Sequence, residues 1–302
     1  MIQAYQSGTR QLCPAAENPN YLYRVCVPGY ANRLLLHVAI AQYDSRMNSG
    51  ASFLYWTIGL CLVSGVAKGA SFDHSYTNFA RVLETRVQDG NVDYAALQKD
   101  RQELEAFLRL VGSVTENDYA AWSREQKLAF LINSYNAAVL QLVADNYPVS
   151  SIKRIGGWFS NPFSTKFVSL FGRKVSLDDI EHGMLRPDFR EPRIHFALVC
   201  AAKSCPTLRR EPYTAEKLNQ QLDDQARLFL NDQSKNRVDA DSRTIYLSSI
   251  FKWFGEDFGP DQNAVIGSVG KYWPSAAQAA NASPPFKVRY LDYDWKLNDR
   301  KR

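Results

Sequence analysis

Two cysteines, two histidines and two asparagines hold most of the chemical potential of this chain. Cys200 and Cys205 lie in Ile194-His-Phe-Ala-Leu-Val-Cys-Ala-Ala-Lys-Ser-Cys-Pro, an apolar run followed by small residues and a proline. Residues 194–199 read as a buried strand. Pro206 suits the first position of a helix, which places Cys205 at the N-cap, where unpaired N–H groups and the helix dipole favour a thiolate. A thiol nucleophile needs a base, and the base needs a group to orient it. His195 is nearest in sequence, but an extended 195–200 puts its Cα about 16 Å from that of Cys200, at ~3.3 Å per residue. His182 is expected on a separate helix, free of that constraint, and is the preferred base. Its neighbour Glu181 points about 100° away around such a helix, so an asparagine suits the orienting role better. Asn133 and Asn136 share one face of a long helix. As buried amides they need partners, and they either orient an imidazole, bind a substrate carbonyl or pin a loop.

The chemistry implied is that of a cysteine-dependent hydrolase or acyltransferase acting on an amide, peptide or thioester. Cys205, favoured over Cys200, attacks a carbonyl; His182 or His195 shuttles protons, and Asn136 orients. N–H groups at the Cys205 helix start stabilise the oxyanion, with Asn133, Glu181 and Cys200 in binding roles. Two other readings stay open. A Cys200–Cys205 disulfide could lock a loop in a non-catalytic binding or assembly domain. The pair could also do thiol–disulfide redox work, although its spacing is not Cys-x-x-Cys. A zinc ion could recruit Cys200, Cys205 and His182, but no second closely spaced Cys/His pair supports one. No metal and no cofactor is expected, and neither a Gly-rich phosphate loop nor a serine nucleophile elbow occurs.

The chain has 302 residues, 45% hydrophobic and 22% charged, with a net charge of +5. Its first seventy residues differ from the rest. Residues 1–46 show no sustained period, whereas 51–66 form an uncharged apolar run followed by Ala67, Gly69 and Ala70. Residues 47–70 resemble a secretory signal peptide, and the run is short for a membrane span of about 20 residues. Translation is expected to begin at Met47, with 1–46 a start-site artefact; the alternative is an uncleaved N-terminal anchor. Leu60 before Cys61 is too large for lipid attachment. Removing residues 1–70 takes away five basic and two acidic side chains, leaving a nearly balanced domain. No basic run argues for nucleic acid. The expected product is secreted or periplasmic and acts on a small-molecule or peptide substrate, with no stable membrane span after cleavage. Its oligomeric state is not legible.

Residues 71–302 contain no linker and read as a single domain. Helices are expected over 75–87, around 104–110 and over 127–146. Ser123 and Gln126 form a capping box for the last of these, with Leu128, Leu131, Tyr135, Val139 and Val143 on one side. Gly156-Gly-Trp-Phe and Asn161-Pro-Phe suggest an ordered aromatic loop containing Trp158 and Phe159. A hairpin follows, turning at Gly172-Arg173, and then a Ser176-capped helix ended by Pro187. Beyond the cysteines come a helix over 215–231, strands at 244–247 and 286–290, and an aromatic helical stretch over 250–258. Trp253, Phe163 and Trp295 read as core. The sum is an α+β fold: a helix-rich single domain around a small antiparallel or mixed sheet.

Val92-Asp-Tyr, Phe130-Leu-Ile-Asn-Ser-Tyr-Asn, Ile180-Glu-His-Gly-Met-Leu-Arg, the Ile194–Pro206 segment and Tyr293-Asp-Trp-Lys-Leu-Asn resemble, in order, the domain-of-unknown-function family 547. The resemblance spans roughly residues 72–298. It implies a secreted bacterial member and assigns no chemistry.

Overall fold

A 23-residue helix, Arg124–Asn146, runs through the middle of the domain. Its start is specified locally: Ser123 accepts the Gln126 N–H while the Gln126 side chain accepts the Ser123 N–H, which satisfies two otherwise orphaned donors. Every residue from Leu128 to Leu140 is buried, polar ones included. The one-sided apolar face expected from the sequence is therefore a helix covered all round. Its length and hydropathy would suit a membrane span, but 89% of its apolar window is buried inside the protein. A computed structural model describes residues 72–157 and 161–300. The expected leader (47–70), the residues before it, Trp158 and Phe159 lie outside the described residues.

The helices Thr77–Arg86, Tyr94–Lys99 and Gln102–Ser113 pack with the central helix into the larger hydrophobic core. Between the first two, Val87–Gln88 and Asn91–Val92 pair as a tight hairpin. Its turn residues Asp89 and Gly90 both have positive φ, the conformation of a type I′ turn. A Cβ on Gly90 would lie 2.5 Å from Thr207 Cγ2, so only glycine fits there. A second hairpin, Val168–Leu170 with Arg173–Val175, turns at Phe171 and Gly172, both at positive φ. That is one residue earlier than expected.

Ser176 caps the next helix as expected, but the helix does not stop at Pro187. Leu177–Ile180 passes into a π-helical turn, Glu181–Leu185, and on into Arg186–Phe189. The wider π turn carries the chain across the place where proline's missing N–H and ring would break a regular α-helix. Arg190, in the left-handed conformation, ends the run.

The largest departure is at 194–199, where no strand forms. Pro192–Phe196 is a 3-10 helix, and the following residues join no sheet ladder. The Ala197 and Leu198 N–H groups donate to the Ile194 carbonyl, and one side chain takes two more groups: Asn136 Nδ2 donates to the Ala197 carbonyl at 3.0 Å, and the Val199 N–H donates to Asn136 Oδ1 at 2.9 Å. An apolar run reports burial, not the hydrogen-bonding partner, and a helix amide takes the place of a neighbouring strand.

The smaller core surrounds a three-stranded sheet in which Thr244–Leu247 pairs antiparallel with Arg237–Asp239 and parallel with Lys287–Tyr290. Leu218–Leu230, Ile250–Trp253, Gly255–Phe258, Gln262–Val269 and Pro274–Ala280 are its helices. A final strap returns to the larger core. The Val92 N–H donates to the Asn298 carbonyl, the Leu297 N–H to Ser150 and the Asn298 N–H to Ala201. The architecture is α+β, helix-rich, with small antiparallel and mixed sheets.

Candidate active site

Glu181, at the start of the π turn, is the chemical centre of the domain. The turn rotates its side chain inward until the residue is only 9% exposed. Burial raises its carboxyl to about 7, against a hydrogen bond from Tyr135 that works the other way; nearby Asp178 adds to the rise. The 3-10 helix brings His195 alongside, with Nδ1 3.8 Å from Glu181 Oε1. The other ring nitrogen, Nε2, lies 2.7 Å from Asp257 Oδ2. A carboxylate can only accept, so Nε2 carries the proton and Nδ1 turns its lone pair toward Glu181.

Asp257 is fixed by Arg186, which donates from Nε at 2.6 Å and from Nη2 at 2.9 Å. Desolvation opposes its ionisation, but the hydrogen bonds from His195 and Arg186 outweigh it and hold the carboxyl well below the usual range. Burial lowers the pKa of His195, although Asp257 pulls the other way. The imidazole is thus a neutral bridge between an ionised Asp257 and a carboxyl poised near neutrality. Its ring stacks on Phe254 at 4.2 Å.

Glu181, His195, Tyr135 and Phe254 border a cavity of about 160 Å³, which also meets Cys200, Cys205, His182, Asp178, Tyr293 and Trp295. Cys200 and Cys205 are joined as a disulfide. Cys205 is buried and Cys200 half-buried. The Cys200 N–H lies 2.8 Å from Cys205 Sγ, and the Tyr293 hydroxyl 3.2 Å from Cys200 Sγ. Burial and the neighbouring Glu181 charge keep the Tyr293 phenol protonated far above neutral pH.

Cys205 does not cap a helix, because the next α-helix begins only at Leu218. Proline's fixed φ suits an extended segment as well as a helix start, and Leu208 and Tyr213 draw the chain after Pro206 into the core. The expected helix-start oxyanion donors are therefore absent at Cys205. His195, set apart from Cys200 by the strand expectation, reaches the same cavity because the backbone is coiled there. His182 also lines it, but its Nδ1 is 3.1 Å from Arg186 Nη1, so that nitrogen accepts from the guanidinium. Among the described residues, neither sulfur is hydrogen-bonded to an imidazole.

Asn133 and Asn136 do not line the cavity. Asn133 exchanges two hydrogen bonds with the Tyr213 backbone, at 2.7 and 2.9 Å, as Asn136 does with Ala197 and Val199. Both pin loops. Glu181, expected to face away from its neighbour's site, points into it. Trp253, expected in the core, is 44% exposed at the cavity. Sequence reasoning passed over Tyr135, Asp257, Arg186 and Tyr293 as chemical groups. Tyr135, Arg186 and Tyr293 are at least contained in the resembling segments, and Asp257 is not. Among the described residues, no group of three or more His, Cys, Asp or Glu side chains is arranged to hold a metal.

Residues 119–230 match the family model described as "Protein of unknown function, DUF547". The match includes Tyr135, Glu181, His182, His195 and both cysteines, and stops short of Trp253, Asp257 and Tyr293. Neither a curated protein nor a solved structure matches the chain.

Proposed function

We propose that this chain, which carries a DUF547 domain over residues 119–230, is a thiol–disulfide exchange enzyme. The observation that supports the reading is a disulfide opening on an aromatic cavity beside a carboxyl that titrates near 7. A staple that only locked a loop would need neither. Residues 47–70 would serve as the leader that takes the domain to an oxidising compartment, where such a pair forms.

An incoming substrate thiolate reaches the half-buried Cys200. Attack forms a mixed disulfide at Cys200 Sγ and breaks its bond to Cys205, which keeps the electron pair as a thiolate. The Cys200 N–H, already aimed at Cys205 Sγ, steadies that charge. A second substrate thiolate attacks the substrate sulfur of the mixed disulfide, and Cys200 leaves. The substrate dithiol is oxidised to a disulfide, and the enzyme pair takes up two electrons and two protons. Glu181, close to half-protonated at neutral pH, exchanges protons with the site, and the Tyr293 hydroxyl lies 3.2 Å from Cys200 Sγ. An external disulfide of higher potential resets the pair.

A second reading is favoured by the two histidines that share the cavity with the cysteines. Once reduced, Cys205 attacks an amide, peptide or thioester carbonyl, and water or an amine takes the acyl group. This hydrolase or acyltransferase needs one cysteine, whereas the exchange enzyme needs both.

The test equilibrates the full-length protein in glutathione buffers of graded potential, alkylates free thiols and reads the mass. A reversible two-electron transition above about −270 mV is expected, within the range of exchange enzymes. Oxidation of a dithiol peptide should disappear in Cys200→Ser. A pair that stays oxidised below about −300 mV in the folded protein is a structural disulfide and overturns the proposal. Thioester hydrolysis by reduced Cys200→Ser would establish the second reading instead.

A further inference from the structure

The walls of the cavity have a chemistry that the sulfur step does not use. Phe163, Trp253, Phe254, Tyr293 and Trp295 surround it, with Asp178 and Glu181 beneath, and none of the described residues lining it is Lys or Arg. Three of the rings form a continuous bank without stacking flat: Tyr293 lies 4.8 Å from Trp253 and 4.7 Å from Trp295, tilted by 54° and 49°. Rings tilted in this way do not cover one another's electron-rich faces as flat stacking would. The Trp295 ring takes a cation outside the cavity lining, since Lys153 Nζ sits 3.8 Å from its centroid. That is within the ~6 Å reach of a cation–π contact. A neutral apolar ligand would use the rings but would bring no counter-charge to Asp178 and Glu181, whose hydrogen bonds come from the neutral hydroxyls of Ser164 and Tyr135. An anion would meet them as like charges.

From this geometry we infer that the cavity is a receptor for an organic cation, an alkylammonium or guanidinium group held by the aromatic bank and paired with Asp178 and Glu181. The inference rests on reading this cavity as the working site, but not on the sulfur step. The cation can come from a free small amine or from a basic side chain of a peptide; the recognition chemistry is the same.

A bound cation favours the ionised form of Glu181, so binding releases a proton from that carboxyl. Affinity therefore rises as pH climbs toward about 7 and levels off above it. The other charged or titratable groups around Glu181 and its cavity are Tyr135, Asp178, His182, Arg186, His195, Asp257 and Tyr293. Arg186 is committed to Asp257 and Glu256, Lys153 sits on the Trp295 ring, and protonating His195 at low pH would act in the same direction as Glu181.

The test titrates oxidised full-length protein with tetramethylammonium, choline, N-acetyl-arginine amide and the uncharged choline isostere 3,3-dimethylbutan-1-ol. Calorimetry and tryptophan fluorescence report binding. Saturable binding of the cations at millimolar concentrations is expected, with the isostere about tenfold weaker. Trp253→Ala and Asp178→Asn should each weaken cation binding about fivefold. Thermal unfolding of each variant confirms that it is folded. Tighter binding of the arginine amide than of choline marks a peptide source, and the reverse a free amine. Equal affinity for choline and its isostere, or no cation binding in the millimolar range by the folded wild type, overturns the inference. A failed redox titration would leave this binding untouched, so the two proposals fail separately.

Discussion

Replacing Glu181 with Gln should remove a pH dependence of stability that runs against the usual direction. The carboxyl titrates near 7 in the fold and near its ordinary 4.5 in the unfolded chain. Between those values the unfolded state gives up its proton while the folded state keeps it, so folding weakens as pH rises. At about 1.4 kcal/mol per pH unit the loss approaches ~3 kcal/mol by pH 7. It is absent below 4.5, where both states are protonated, and constant above 7, where both are ionised. Asp257, held low, behaves oppositely and contributes stability that is lost on acidification. The experiment must therefore read a difference. Glutamine is close to isosteric, keeps an acceptor for the Tyr135 hydroxyl and does not titrate. Thermal melts of wild type and Glu181→Gln between pH 4.5 and 8 should show the variant gaining on the wild type by about 6–12 °C, at about 2–4 °C per kcal/mol for a domain of this size. A difference that stays flat would refute the burial argument. One that runs the other way would mean Glu181 is held as a carboxylate, with the acid–base role assigned to it gone.

Asn136→Ala strands the Ala197 carbonyl and the Val199 N–H in the core, and at about 1–3 kcal/mol for each buried unpaired group it should cost about 2–5 kcal/mol in urea unfolding. A variant within about 0.5 kcal/mol of wild type would show that these groups find other partners. Gly90→Ala faces both a φ of +75° and the Thr207 methyl; a loss of about 1–3 kcal/mol is expected, partly recovered by adding Thr207→Ser. Replacing Cys200 and Cys205 together with Ser removes a short loop closure worth about 2 kcal/mol. The domain should remain folded by circular dichroism, and outright unfolding would assign the pair a larger structural share.

The sequence made the helices with strong local start signals legible. Ser123 and Ser176 each cap a helix with their own side chain, and a cap is a local event. The fold class and the hairpin of Val168–Leu170 with Arg173–Val175 were also legible, its turn displaced by one residue, whereas the pairing across Asp89 and Gly90 was not. Apolar runs were misleading, because burial has more than one solution. The run from Ile194 to Val199 satisfies two of its backbone groups through Asn136, more than sixty residues away in sequence, and no local pattern reveals that. The site was half visible. Cys200, Cys205, His182 and His195 stand out by residue type, and they do converge on one cavity. Glu181 was placed on the wrong side because a regular helix was assumed where the chain makes a π turn. Asp257 and Trp253 were absorbed into an aromatic stretch read as core; their role depends on two short helices packing across from the π turn.

The strap that ends the described chain has a consequence for how the cavity comes into being. Tyr293 and Trp295 belong to it, and it is fastened by contacts such as the Tyr94 hydroxyl on Asn298 Oδ1, 204 residues apart in sequence. The two ends must meet before the aromatic wall exists, and closing so long a loop is entropically unfavourable and slow. The cavity is thus among the last features the chain can assemble. Until then the Cys200–Cys205 segment lacks the Tyr293 hydroxyl and the tryptophan bank beside it. A molecule cleaved ahead of the strap would lose one wall of its site together with the bonds that tie Val92 and Gly90 of the first hairpin to Asn298 and Arg300.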